Sequence, residues 1–175
     1  MLFQLEIPTP ENQQIHFPIL TTKGIELFVK REDTIHPFVS GNKFRKLKYN
    51  IEEAKQQEKD TLLTFGGAFS NHIAATAAAG KMAGLKTIGI IRGDELGRDL
   101  AKTLSQNETL RNAYENGMQF KFVSREAYRN KTSEAFINQL KKEFGDFYLV
   151  PEGGTNALAV QGCEEILTNE DEKFG

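Results

Sequence analysis

A lysine at the start of a predicted helix is the first residue in this sequence that is suited to covalent chemistry. Lys43 follows Gly41 and Asn42, two residues that favour the turn and cap before a helix. The positive end of the helix dipole disfavours a further positive charge, so a lysine in the first turn loses its proton more readily. A neutral, partly desolvated amine is what condensation with a carbonyl compound or with pyridoxal phosphate requires. The alternative is a solvated lysine on a basic helix that also carries Arg45, Lys46 and Lys48.

A second group of polar residues follows a glycine pair. The segment Gly66-Gly67-Ala68-Phe69-Ser70-Asn71-His72 runs from the end of a predicted strand into an alanine-rich helix. Backbone amides, a hydroxyl and a carboxamide converge there, an arrangement suited to holding an anion or a ring oxygen. The structural alternative is that Ser70 only caps its own helix.

A third segment, Pro151-Glu152-Gly153-Gly154-Thr155-Asn156, also lies just past a predicted strand. Its glycines permit close backbone approach, and Thr155 or Asn156 caps the next helix. A structural turn and a ligand-binding loop both fit this pattern. His16 and His36 lie in loops without a second ligand at metal-binding spacing, so no metal site is expected.

The elements that position these residues alternate between short apolar runs and amphipathic stretches. The predicted strands are Glu26–Lys30, Thr61–Phe65, Thr87–Ile91, Gln119–Val123 and Phe147–Val150. The predicted helices are Lys43–Gln57, Ser70–Ala83, Arg98–Asn116 with a break near Asn107, Thr132–Phe144 and Ala157–Leu167. This alternation predicts an α/β fold in which a parallel sheet carries helices on both faces. Residues 1–25 are predicted to form an extended arm or an irregular lead-in.

The composition excludes several classes of function. With Lys+Arg 22 against Asp+Glu 24, the net charge of -2 offers no electrostatic footprint for nucleic acid or for an anionic membrane. The single cysteine, Cys163, excludes an internal disulfide framework, so a reducing cytoplasm is the expected compartment. The first residues lack the pattern of a secretory signal, and no apolar run is long enough to span a bilayer.

Four segments occur in the order and at the intervals seen in one enzyme family: Val29–Asp33, Gly41–Leu47, Gly66–His72 and Pro151–Leu158. On these segments the chain resembles the 1-aminocyclopropane-1-carboxylate deaminase / D-cysteine desulfhydrase family of pyridoxal-phosphate enzymes, which belongs to the tryptophan-synthase-β fold group. The resemblance covers nearly the whole chain, and Gly-Asn-Lys-x-Arg-Lys-Leu is its most specific part.

The resemblance implies a role for each of four residues. Lys43 matches the lysine that holds pyridoxal phosphate and later moves protons, and Asn71 matches the asparagine that hydrogen-bonds the cofactor's ring oxygen. Ser70 matches a serine that contacts substrate or serves in the proton chemistry. His72 lies in the substrate-binding segment, at a position that is histidine in desulfhydrase-like members and glutamine in typical deaminases. The implied reaction is deamination of a small amino acid, either D-cysteine or 1-aminocyclopropane-1-carboxylate, to ammonia and a 2-oxo acid.

The resemblance also implies a domain organisation. Residues 1–45 match the lead-in of the larger lobe, residues 46–150 the smaller α/β lobe, and residues 151–175 the return into the larger lobe. Relatives continue well beyond this point and carry their phosphate-binding loop there, so the chain is expected to be an N-terminal portion with poor cofactor affinity and little turnover by itself. The alternatives are a non-catalytic α/β binding module and a folding or oligomerisation unit. Complete relatives commonly form homodimers.

Overall fold

The computed structural model describes residues 9–174. Its strands are β1 (Asn12–Ile15), β2 (Leu27–Lys30), β3 (Thr61–Gly67), β4 (Lys86–Arg92), β5 (Met118–Val123) and β6 (Tyr148–Val150). Its α-helices are α1 (Pro18–Lys23), α2 (Asn42–Gln56), α3 (Asn71–Ala83), α4 (Leu100–Gln106), α5 (Glu108–Glu115), α6 (Arg125–Arg129), α7 (Glu134–Phe144) and α8 (Ala157–Glu164). Short 3-10 turns occupy Glu32–Thr34, Asp94–Gly97, Glu152–Gly154 and Asn169–Phe174.

Four of these strands form a parallel sheet in the order β5-β4-β3-β6, which confirms the predicted α/β fold class. In the register, Gly67 at the end of β3 lies opposite Arg92 at the end of β4, and Arg92 lies opposite Val123 at the end of β5. The carboxyl ends of these three strands are therefore level with one another at a single edge of the sheet.

Helices cover both faces of the sheet, as predicted. Because side chains alternate along a strand, Leu62 of β3 packs under α2 and α3, whereas Leu63 packs under α6 and α7. On α2, Leu47 and Ile51 are each 1% exposed, and burial of such a side chain contributes about 1.5–3 kcal/mol. The helix that carries Lys43 is thus held against the sheet by its apolar face.

The last helix, α8, packs closely against α2. A side chain at Gly162 of α8 would place its Cβ 2.0 Å from the carbonyl oxygen of Arg45, so only glycine allows this approach. Three polar contacts fasten α2 to the segment around α8: Lys46 to Thr155 at 3.1 Å, Asn50 to Asn156 at 2.7 Å and Lys48 to Glu165 at 2.7 Å.

The structure confirms the predicted strands and helices with small shifts at their ends, and it corrects the lead-in. Residues 12–23 are not irregular, because β1 pairs with β2 in an antiparallel hairpin and α1 follows β1. The first predicted strand therefore belongs to this hairpin rather than to the parallel sheet. Residues 1–8 of the predicted lead-in lie outside the described residues. Within residues 9–174, no helix has the length and apolarity needed to cross a membrane.

Candidate active site

A cavity of about 310 Å³ lies where the start of α2 meets the start of α3. Two residues that the sequence predicted for one cofactor, Lys43 and Asn71, both line it. The remaining lining residues are Phe38, Ser40, Asn42, Ala74 and Ala75. The volume is at the lower end of the range for small-molecule sites. The prediction from sequence missed these five residues, although Phe38 and Ser40 belong to a loop that precedes the predicted lysine.

The loop before α2 fixes the place where Lys43 enters the helix. Gly41 has φ 58 and ψ -148, a backbone conformation that favours glycine, and its amide donates to the carbonyl of Glu32 at 2.7 Å. The Glu32 carboxylate accepts two hydrogen bonds from Arg45 of α2, at 2.9 and 2.8 Å. Since the two side chains are only 12% and 7% exposed, this ion pair is buried. The loop is therefore fastened to α2 on either side of Lys43.

The Lys43 amine is half-buried and donates to Oδ1 of Asn42 at 3.0 Å. Burial, and after it the positive charge of Lys46, hold the pKa of Lys43 below the ordinary value for lysine. Cys163 acts in the opposite direction. The amine is therefore neutral, and able to act as a nucleophile, more often than an exposed lysine.

The two polar residues at the start of α3 have different environments. Asn71 is exposed and lines the cavity, whereas Ser70 is not among its lining residues. The Ser70 hydroxyl oxygen accepts a hydrogen bond from the amide of Ile73 at 3.4 Å, so it caps α3 as the structural alternative expected. Because this contact uses a lone pair, the hydroxyl proton stays available to a second acceptor.

His72 lies beneath this pair, buried in the protein with an exposed fraction of 2%. The hydroxyl of Thr64 lies 2.9 Å from the carbonyl of Val150, to which it donates, and 2.8 Å from Nε2 of His72. The Nδ1 atom of His72 is buried and has no hydrogen-bond partner among the described residues. Burial, followed by the charges of Lys43 and Lys46, lowers the pKa of His72 to about 4.

The glycine turn after β6 covers the imidazole of His72. Gly154 has φ +71, and a Cβ at this position would lie 3.1 Å from Cε1 of His72. Asn156 caps α8 by accepting from the amide of Ala159 at 2.9 Å and also bonds Asn50. These are the contacts of a structural turn, and none of the residues in this turn lines the cavity that contains Lys43. Among residues 9–174, no group of three or more metal-ligating side chains comes together.

Comparison with known proteins gives one family and a consistent set of relatives. Residues 3–170 match the family model described as pyridoxal-phosphate dependent enzyme. The bifunctional D-cysteine desulfhydrase/1-aminocyclopropane-1-carboxylate deaminase, mitochondrial, of Arabidopsis thaliana is 36% identical over 172 residues, which are 96% of this chain and 42% of that protein. A putative 1-aminocyclopropane-1-carboxylate deaminase of Pyrococcus abyssi is 33% identical over 151 residues, covering 83% of this chain and 43% of that protein.

A solved structure shows the same fold. The crystal structure of an ACC deaminase homologue superposes with a TM-score of 0.68 at 26% identity, covering 95% of this chain and 48% of that one. The chain therefore spans less than half the length of the relatives that it matches.

Proposed function

Because the chain belongs to the family of pyridoxal-phosphate dependent enzymes, we propose that Lys43 is the residue that bonds the cofactor. The observation that carries this proposal is the shared cavity, in which the lowered pKa of the Lys43 amine and the exposed carboxamide of Asn71 occur together. The reaction we propose for the whole enzyme is deamination of a small amino acid to ammonia and a 2-oxo acid.

The side chains around the cavity are chemically suited to pyridoxal phosphate. A neutral amine is the group that bonds an aldehyde carbon, and a carboxamide Nδ2 donates to a ring oxygen. When bound, the cofactor supplies an electron sink for the negative charge that develops at the substrate's α-carbon. With D-cysteine, whose α-carbon carries a hydrogen, Nζ of Lys43 would hold the proton removed from that carbon. Asn71 orients the ring by its hydrogen bond.

Ser70 and His72 have supporting roles in this proposal. The Ser70 hydroxyl keeps its proton while its oxygen caps α3, so it is able to donate to a substrate carboxylate or to take part in proton transfer. His72 is buried, and direct contact with substrate stays a prediction for it. The histidine at this position favours D-cysteine over 1-aminocyclopropane-1-carboxylate, since the resemblance associates histidine with desulfhydrase-like members. With D-cysteine as substrate, hydrogen sulfide is released as well.

The proposed organisation and setting follow the resemblance. Residues 1–45 would contribute the cofactor lysine to a larger lobe, residues 46–150 would form a smaller lobe, and residues 151–175 would return to the larger one. A homodimer in the cytoplasm is proposed for the complete enzyme, with the free thiol of Cys163 suited to a reducing compartment. The Arabidopsis relative is named as mitochondrial.

A non-catalytic binding module is the second candidate function. One observation favours it: among the described residues that line the cavity, Lys43 is the only cationic side chain. No second positive charge in this lining is therefore available to bind the phosphate of the cofactor. For the same reason we propose that residues 1–175 alone take up the cofactor weakly.

The test uses the complete polypeptide loaded with pyridoxal phosphate. Borohydride reduction followed by peptide mass spectrometry should place the pyridoxyl group on Lys43, and the absorbance of the lysine-bound cofactor should disappear in Lys43→Ala. The matched control is Lys46→Ala, which removes the neighbouring lysine of the same helix and should keep the label. A label that persists in Lys43→Ala would refute the assignment, and an unlabelled wild-type protein would favour the binding module.

A further inference from the structure

A second and larger cavity lies at the carboxyl edge of the parallel sheet. It has a volume of about 570 Å³, within the range of small-molecule sites. Gly67 and Arg92 border it from the ends of β3 and β4, and Arg125 and Glu152 border it just after β5 and β6. In open α/β sheets, ligands bind outside the carboxyl ends of the strands. We call this space the arginine cavity.

Some of the charged side chains around the arginine cavity form ion pairs, and others do not. Glu95 accepts from Arg125 at 2.7 Å, and Glu152 pairs with Lys131 at 3.1 Å. The other two cations in the lining, Arg92 and Arg129, form no ion pair or hydrogen bond within residues 9–174. Both carboxylates are therefore already engaged, and two guanidinium groups remain able to bind an anion.

Arg92 is held in place without using its hydrogen-bond donors. Its guanidinium carbon lies 5.7 Å from the centre of the Tyr128 ring, within the range of a cation–π contact. Its Nη2 lies beside Gly67, where a Cβ would come within 3.6 Å. Tyr128 is itself fixed, since it is 4% exposed and its hydroxyl donates to Glu152 at 2.8 Å. The Tyr128 ring thus orients the guanidinium of Arg92, and the N–H groups of that guanidinium form no hydrogen bond to the described residues.

We propose that the arginine cavity is an anion-binding site with Arg92 as its anchor and Arg129 as a second contact. A planar guanidinium matches the paired oxygens of a carboxylate or a phosphate, and two unpaired guanidinium groups match a small doubly charged anion. The ligand class is therefore a phosphate ester or a dicarboxylate. The two cavities have no lining residue in common, and Phe69 of the arginine cavity lies two residues before Asn71 of the cavity around Lys43.

The experiment is isothermal titration calorimetry on the complete holoenzyme after unbound pyridoxal phosphate, itself a phosphate ester, has been removed, at low ionic strength. Inorganic phosphate and succinate serve as separate probes and so distinguish the two ligand sources. Wild-type protein should bind at least one probe saturably, and Arg92→Ala should weaken that binding about tenfold or more, because a hydrogen bond to a charged group contributes at least a factor of about ten. Arg129→Ala should weaken it as well.

Arg98→Ala is the matched control. It removes an exposed arginine that follows the same strand but does not line the arginine cavity, and binding should stay within about twofold of wild type. The proposal is overturned if wild-type protein binds neither probe, or if Arg92→Ala and Arg98→Ala weaken binding equally. Circular dichroism checks that each variant is folded. Since the measured quantity is anion affinity, the result does not depend on whether Lys43 bonds the cofactor.

Discussion

The buried imidazole of His72 makes a quantitative prediction about stability. Folding lowers the pKa of this group from an unperturbed 6.5 to about 4, because the ring is removed from water and lies near Lys43 and Lys46. The imidazole binds a proton more tightly in the unfolded chain than in the folded protein, so protonation favours unfolding. The contribution of His72 to stability is therefore complete above pH 6.5, falls as the pH drops toward 4, and is constant below that value.

The size of the effect follows from the two pKa values. At pH 5 the unfolded chain carries almost a full proton on this imidazole, whereas the folded protein, with the His72 pKa at about 4, carries very little. Integrating the difference in proton binding between pH 7 and pH 5 gives a loss of about 2 kcal/mol from this one group. A loss of that size is a large part of the stability of a small domain.

Urea unfolding at pH 7 and pH 5 measures this loss. The free energy of unfolding of wild-type protein should fall by about 2 kcal/mol more than that of His72→Gln, in which the titrating ring is replaced by a neutral amide. Other ionisable groups are common to both proteins and cancel in the comparison. His16→Gln, at an exposed histidine, is the control and should behave as wild type. If wild type and His72→Gln lose equal stability, the imidazole is not held neutral by burial and the reasoning is wrong.

Two further predictions concern the ion pair beside Lys43 and the hydroxyl at the start of α3. Glu32→Gln should lower the free energy of unfolding, measured with urea, by about 3 kcal/mol, because it leaves the buried Arg45 guanidinium without its main partner. The control is Asp33→Asn, in the exposed pair with Arg31, which should leave the urea midpoint unchanged. If both variants lower the midpoint equally, the pair of Glu32 and Arg45 is not buried. Ser70→Ala should lower turnover of the complete enzyme about a hundredfold if the hydroxyl moves a proton, while cofactor absorbance stays within about twofold of wild type. If turnover and cofactor absorbance fall by the same factor, Ser70 only caps α3.

The fold was largely predictable from the sequence because its signals are local. The apolar runs of β3 and β4 are buried along nearly their whole length, and such runs are typical of a parallel sheet covered on both faces. Asn107, where the long helix was expected to break, accepts from the amide of Leu110 and caps α5. The hairpin strand β1 was missed because Asn12–Ile15 has the residues NQQI and little intrinsic strand preference. Its pairing with β2 stabilises it instead.

The candidate site was predictable in part. Lys43 and Asn71 were named from two separate segments, and the packing of α2 beside α3 brings both to one cavity. The burial of His72 could not be inferred, because it depends on Thr64 of β3 and on the approach of Gly154 from a distant turn. The two unpaired arginines of the arginine cavity were likewise not predicted. Arg92 reaches it only through the register that places this residue opposite Gly67.

The contacts that hold α2 also limit which walls of the cavity around Lys43 are able to move. Tilting α2 to open the cavity would separate it from Thr155, Asn156 and Glu165, so the helix acts as a fixed wall. On the loop side, Phe38 lines the cavity and is 59% exposed. A swing of this phenyl ring would widen the entrance without breaking any contact of the helix. The reactive amine is therefore presented by a wall of fixed geometry, bordered on the loop side by an exposed aromatic ring.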